Sequence, residues 1–142
     1  LWKECFEKNE PILILEHDAK FLRKLDYDYI LKSNFDIIGI NDPIFATRRD
    51  QFYRNKIQNN AFKEKIIPVP TIDDDMVPQG LAGNSAYIIK PRGADQMLKA
   101  AKYYGLWPND ALMCKQLIKR LGVTSTFYTT IQRMEKSTTR DA

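Results

Sequence analysis

Ile12-Leu13-Ile14-Leu15 is a continuous apolar run, with Asn9, Glu10 and Pro11 as turn signals before it and Glu16-His17-Asp18 closing it. A run of this kind fits a short strand buried on both faces. Phe35 to Ile40, closing on Asn41-Asp42-Pro43, and Ala86-Tyr87-Ile88-Ile89 repeat the pattern. Helical patterns separate these runs. Leu1 to about Lys8 reads as the end of a helix with Leu1, Trp2, Cys5 and Phe6 on one face, and roughly Lys20 to Lys32 as a second helix interrupted by Asp26 and Asp28. Pro91 suits a first helical turn, and Ala94, Met97, Leu98 and Ala101 follow as its apolar stripe. Pro108 and Asn109 precede a further helix, with Cys114, Leu117, Ile118 and Leu121 on one face and Gly122 as its stop. Thr124 to Ile131 has the β-branched and aromatic content of a strand. Thr47 to Lys65 reads as loop with some helix, and Pro68 to Gly83 as irregular. Strands alternating with helices make the class α/β. No repeat or linker divides the chain, and its 142 residues suit one domain.

Composition excludes several alternatives. With 44% hydrophobic and 28% charged residues the chain is neither disordered nor collagen-like. No apolar run approaches the roughly 18 residues that cross a bilayer, and no secretory leader is visible. Cys5 and Cys114 belong to no C-x-x-C pair, so a reducing, cytoplasmic compartment is expected. His17 is the only histidine, which excludes H-E-x-x-H metalloproteases. There is no G-x-S-x-G elbow, G-x-G-x-x-G fingerprint or P-loop. The net charge of +4 is mild, but ten of the 22 Lys and Arg fall after Met76 against four Asp and Glu. That excess reads as a solvated surface or as one that meets phosphates.

The strongest local signal is the carboxylate pair at the end of the first strand. Ligands of open α/β sheets bind at the carboxyl ends of strands. Glu16 and Asp18, one residue apart, can hold a hard cation such as Mg²⁺ or Mn²⁺ with water and phosphate oxygens; equally, Asp18 can cap a following helix. Asp73-Asp74-Asp75 is a second acidic cluster, either a solvated loop or a metal or substrate site. Asp110 lies at a helix start after Trp107-Pro108-Asn109, where the helix dipole favours its ionised form as a cap or a catalytic base. Gly80 and Gly83 bracket a turn that lets the backbone approach a ligand closely.

These segments, taken in order, resemble glycosyltransferase family 25, the lipooligosaccharide and collagen galactosyltransferase family. Ile12-Leu13-Ile14-Leu15-Glu16-His17-Asp18-Ala19 is similar to that family's I-L-E-D-D-A strand end. Gly83-Asn84-Ser85-Ala86-Tyr87-Ile88-Ile89 followed by Gly93-Ala94 resembles its G-t-x-A-Y-l-i and G-A, and Pro108-Asn109-Asp110 its P-v-D. Gln132 and Ser137 fall where the family has a late glutamine and serine. The resemblance implies a GT-A-like, Rossmann-like domain over residues 1–142 that lacks its N-terminal part, because the family carries a strand and helix before the helix entered at Leu1. It also implies a nucleotide-sugar donor, a glycan or other hydroxyl acceptor, Mn²⁺ or Mg²⁺, inversion at the anomeric carbon, and a place in lipopolysaccharide biosynthesis. Carried onto this sequence, Glu16 and Asp18 face metal and donor diphosphate, and Asp110 is the base, with the cluster around Asp74 as its runner-up. Gly83, Asn84 and Tyr87 line the donor or acceptor pocket. His17 replaces the middle acidic residue and lowers the charge offered to a cation. Two other readings stand beside transfer: a catalytically degenerate binding module, and a phage-type enzyme that glycosylates nucleic acid.

Overall fold

The apolar runs become the inner strands of a mixed sheet in the computed structural model, which describes residues 1–59, 64–71, 79–105 and 112–132. In chain order the elements are α1 (Trp2–Lys8), β1 (Ile12–Leu15), β2 (Ala19–Phe21), α2 (Tyr27–Lys32), β3 (Ile37–Gly39), α3 (Asp50–Gln58), β4 (Ile66–Pro68), β5 (Ala86–Ile89), α4 (Pro91–Tyr104), β6 (Leu121–Thr124) and β7 (Thr129–Ile131). Five strands form one sheet in the order β1-β5-β3-β6-β4, and β2 pairs with β7 in a separate two-stranded sheet. The class is α/β, with a mixed rather than parallel sheet: β5 is antiparallel to β1 and β3, β4 is antiparallel to β6, and β3 and β6 run parallel.

This register positions the site. Because β5 opposes both neighbours, β1, β3 and β6 point the same way, and their carboxyl ends share one edge of the sheet. Leu15 lies opposite Ala86, Tyr87 opposite Gly39, and Gly39 opposite Val123. Glu16, Ile40-Asn41 and Ser125 therefore leave the sheet along that edge, beside the entry of β5 at Ser85.

Period-2 alternation divides the core. Ile37, Tyr87, Ile89, Leu121 and Val123 face α1, α3 and α4, packing with Cys5, Tyr53, Ile57, Ala94 and Met97. Ile38, Ile40, Ala86 and Ile88 face the other way, onto Ile30 of α2, Ile66 and Tyr128. Each of these isoleucines contributes roughly 1.5–3 kcal/mol through burial. Asn9 ends α1 in the left-handed conformation (φ 54°), donating its N–H to the carbonyls of Cys5 and Phe6. Pro91 starts α4 as expected, and Gly93 allows that helix to approach β3 closely.

Several expectations are corrected. β1 is an edge strand, half-buried with Leu15 exposed, because nothing covers its outer side among the described residues. On α1 only Cys5 is buried, while Leu1 and Phe6 are exposed. The stretch from Lys20 to Lys32 is β2, a bend and only the short α2, since pairing with β7 outweighs the helical pattern. Asp18 therefore precedes a strand, and the helix-cap reading fails. Lys115 to Arg120 form turns, and Leu121 and Gly122 lie inside β6, where Phe35 covers Gly122. Gly122 does not stop a helix; it makes room for an aromatic ring. Thr124 to Ile131 divides into the end of β6, a turn and β7. β4 was unforeseen.

Candidate active site

Three backbone hydrogen bonds fix the acidic turn at the end of β1. The Glu16 N–H donates to the Ser85 carbonyl (2.8 Å), extending the β1–β5 ladder by one bond. The Ala19 N–H donates to the Glu16 carbonyl (3.1 Å), closing a four-residue turn with His17 and Asp18 at its centre. The Gln132 N–H donates to the Asp18 carbonyl (2.7 Å), tying the turn to the end of β7. Glu16 and His17 are exposed and Asp18 is half-buried. Asp18 Oδ1 is buried with no hydrogen-bond partner among the described residues. A buried carboxylate oxygen without a donor is costly, by roughly 1–3 kcal/mol or more for a charged group.

Asn84 sits beside that edge, immediately before β5. It is 8% exposed, and both its Oδ1 and its Nδ2 are buried without partners among the described residues. The preceding Gly83 has φ +80°, and a Cβ there would stand 2.8 Å from Ala46 Cβ, so the turn leading into Asn84 requires glycine.

Tyr87 completes the group. Its hydroxyl accepts a hydrogen bond from Trp2 Nε1 (3.2 Å), across 85 residues of sequence. Burial raises the phenol's pKa; the Trp2 bond works against that shift and the nearby Glu16 charge adds to it. Tyr87 is thus a neutral phenol whose acceptor role is met by Trp2, leaving its own proton available for donation. A cleft of about 500 Å³ is lined by Trp2, Glu16, Asn84 and Tyr87 together with Ile14, Leu15 and Leu98. It falls in the size range of small-molecule sites. Trp2→Phe keeps the ring and removes the donor. It is expected to cost about 1 kcal/mol, seen as a lower denaturant midpoint, with the cleft otherwise intact.

The structure therefore brings Glu16, Asn84 and Tyr87 to one cleft, with Asp18 on the same turn as Glu16. Gly83 instead borders a void of only about 10 Å³ with Asn41, Tyr53 and Leu81. It shapes the approach and does not line the cleft. Asp110, Asp74 with its neighbours, Trp107 and Ser137 lie outside the described residues. Among the described residues no group of three or more His, Cys, Asp or Glu is arranged to hold a metal ion. Glu16, His17 and Asp18 do not form a three-ligand cage by themselves.

One feature of this edge was missed in the sequence. Asn41 and Asp42 leave β3 as Glu16 and Asp18 leave β1, and the same strand-end rule would have found them. Their side chains are engaged: Asn41 Oδ1 accepts from Thr129 Oγ1 (3.0 Å), and Asp42 Oδ1 accepts from the Ile44 N–H (3.0 Å) and Arg54 Nε (3.3 Å). Asn41 also bridges to Thr129 through the backbone. These groups hold β7 against the sheet edge, and with it the residue that ties down Asp18.

The family model described as glycosyltransferase family 25 (LPS biosynthesis protein) matches residues 1–113. The chain belongs to glycosyltransferase family 25. No curated protein and no solved structure matches it. The family 25 match spans the acidic turn, the Gly83-to-Tyr87 segment and Asp110, so every candidate site residue lies within it. Gln132 and Ser137 lie beyond it. As a member of family 25 the chain is of glycosyltransferase type, which brings a sugar donor and an acceptor as its partners. Among the described residues no helix is long and apolar enough to cross a membrane.

Proposed function

We propose that this chain belongs to a GT-A-like domain that moves a sugar from a nucleotide donor, a UDP-sugar, to a hydroxyl group of a glycan or lipid-linked glycan, with inversion. The observation that carries this reading is the buried Asp18 Oδ1, without a partner among the described residues, on a turn fixed at the carboxyl edge of the sheet, beside the cleft of Glu16, Asn84 and Tyr87. An oxygen of that kind suits a hard cation, and Mn²⁺ or Mg²⁺ needs few protein ligands when substrate phosphates and water complete its shell. Glu16 and Asp18 would hold it. When bound, the cation neutralises charge on the leaving nucleotide diphosphate.

The chain's own residues supply the rest. Asn84 offers one donor and one acceptor to sugar hydroxyls, and Tyr87 donates its phenolic proton beside them. Asp110 takes the proton from the acceptor hydroxyl as that oxygen attacks the anomeric carbon, on the face opposite the departing diphosphate. The cluster around Asp74 is the second candidate for this base.

The test is release of UDP and of the transferred sugar by the chain with Mn²⁺, followed by mass spectrometry. Turnover that falls in both Asp18→Ala and Asp110→Ala supports the assignments, and unchanged turnover in both sinks them. Saturable glycan binding with neither Mn²⁺ dependence nor turnover would favour a binding module.

A further inference from the structure

The acidic turn leads directly into a surface that the transfer reading does not use. β2 follows Asp18, and after Phe21 the chain bends at Leu22 and Arg23. Phe21 and Leu22 are 44% and 47% exposed, and Lys20, Arg23 and Lys24 beside them are exposed. None of these three cations has a carboxylate partner among the described residues. The tip is held in place: Phe21 pairs with Thr129, and the Leu22 N–H donates to the Tyr128 carbonyl (2.8 Å). Two adjacent apolar side chains are thus held out into water on a braced strand end, beside three cations that form no ion pair among the described residues.

We propose that Lys20 to Lys24 is a docking tip for an anionic membrane surface. Phe21 and Leu22 enter the interfacial layer, and Lys20, Arg23 and Lys24 meet lipid phosphates. Apolar side chains inside a basic cluster are the composition of interfacial anchors, and each cation near an anionic leaflet adds attraction that salt screens. Charge complementarity selects the occupant. A neutral protein surface would satisfy the apolar pair and leave three cations unpaired, whereas an anionic bilayer satisfies both. Asp26 and Asp28 follow at the start of α2 and reduce the local charge, so attachment is reversible and salt-sensitive. The tip starts two residues beyond Asp18, so docking would bring the acidic turn close to acceptors carried on lipid. That last consequence rests on the transfer reading; membrane attachment itself does not.

Co-sedimentation of the chain with vesicles of phosphatidylglycerol and phosphatidylethanolamine, against pure phosphatidylcholine, tests this. The expected result is binding to the anionic vesicles at least tenfold stronger than to the neutral ones, and its loss at high salt. The triple change Lys20→Gln, Arg23→Gln, Lys24→Gln and, separately, the pair Phe21→Ser, Leu22→Ser should each weaken anionic-vesicle binding at least tenfold while thermal melting stays unchanged. Equal binding to both vesicle types, or variants that bind like the parent, would overturn the proposal. Turnover of a UDP-sugar without vesicles should be the same in parent and variants. If turnover is absent while anionic binding persists, the transfer reading fails and the tip stands.

Discussion

Asp18→Ala is expected to lower affinity for a UDP-sugar with Mn²⁺ by about 100-fold or more while leaving the fold as stable as before, or more so. The two effects have opposite signs for one reason. Asp18 Oδ1 is buried without a donor among the described residues, a carboxylate oxygen stripped of water with no described group bonded to it in exchange. Removing such a group loses no hydrogen bond to the described residues and relieves a desolvation cost of roughly 1–3 kcal/mol. The tie that fixes the turn runs through the Asp18 carbonyl and survives the substitution. A 100-fold loss corresponds to about 2.7 kcal/mol of binding, the scale expected when a charged ligand to a cation is removed. Calorimetry of donor binding and a denaturant melt on the same preparation check both. A clear fall in stability with unchanged donor affinity would make Asp18 a structural residue and end the metal assignment.

Gly93→Ala is expected to destabilise the chain by about 2 kcal/mol, although alanine is the better helix former. Propensity alone would favour alanine by at most about 0.5–1 kcal/mol. Packing decides against it, because a Cβ at Gly93 would stand 2.6 Å from the Asp36 carbonyl oxygen and 2.7 Å from Ile37 Cγ1. That carbonyl already accepts the Lys90 N–H (2.9 Å), so it cannot retreat without breaking the link between β5 and β3. Forcing an extra carbon into a packed contact costs typically 1–3 kcal/mol, and the near neighbour here is backbone. The midpoint of thermal unfolding should fall by roughly 5–10 °C. A rise would mean that α4 can shift away from the sheet at little cost.

What could be read in the sequence, and what could not, follows from where each element obtains its stability. Ile37-Ile38, Ala86 to Ile89 and the stripe of α4 were legible because burial on a hydrophobic face leaves a local pattern. β2 was not, because Ala19-Lys20-Phe21 is a strand only through Thr129 to Ile131, more than a hundred residues away. Leu117, Ile118 and Leu121 have helical spacing, yet Leu121 sits in a parallel ladder beside Ile37, an arrangement that no local window contains. At the site, Glu16 and Asp18 were legible from a strand that stops at two carboxylates, and Asn84 and Tyr87 only through the family resemblance. That Asp18 Oδ1 lacks a partner among the described residues while Asp42 Oδ1 has two could not be read from either motif, since both are acids at strand ends. The difference lies in Arg54 and the Ile44 N–H, which reach Asp42 and have no counterpart at Asp18 Oδ1 among the described residues.

The bond from Gln132 to Asp18 has a kinetic meaning. The first strand finds its partner only when β5 has been made, α1 rests on α4, and the acidic turn is tied down only when the chain beyond Thr129 arrives. Contacts of such high sequence separation close slowly, because the loop entropy is spent before the contact rewards it. The acidic turn would thus wait for a residue more than a hundred positions further along before its geometry existed. The geometry of the turn would then form after the local helices, and its appearance during refolding would report long-range closure more faithfully than helix content does.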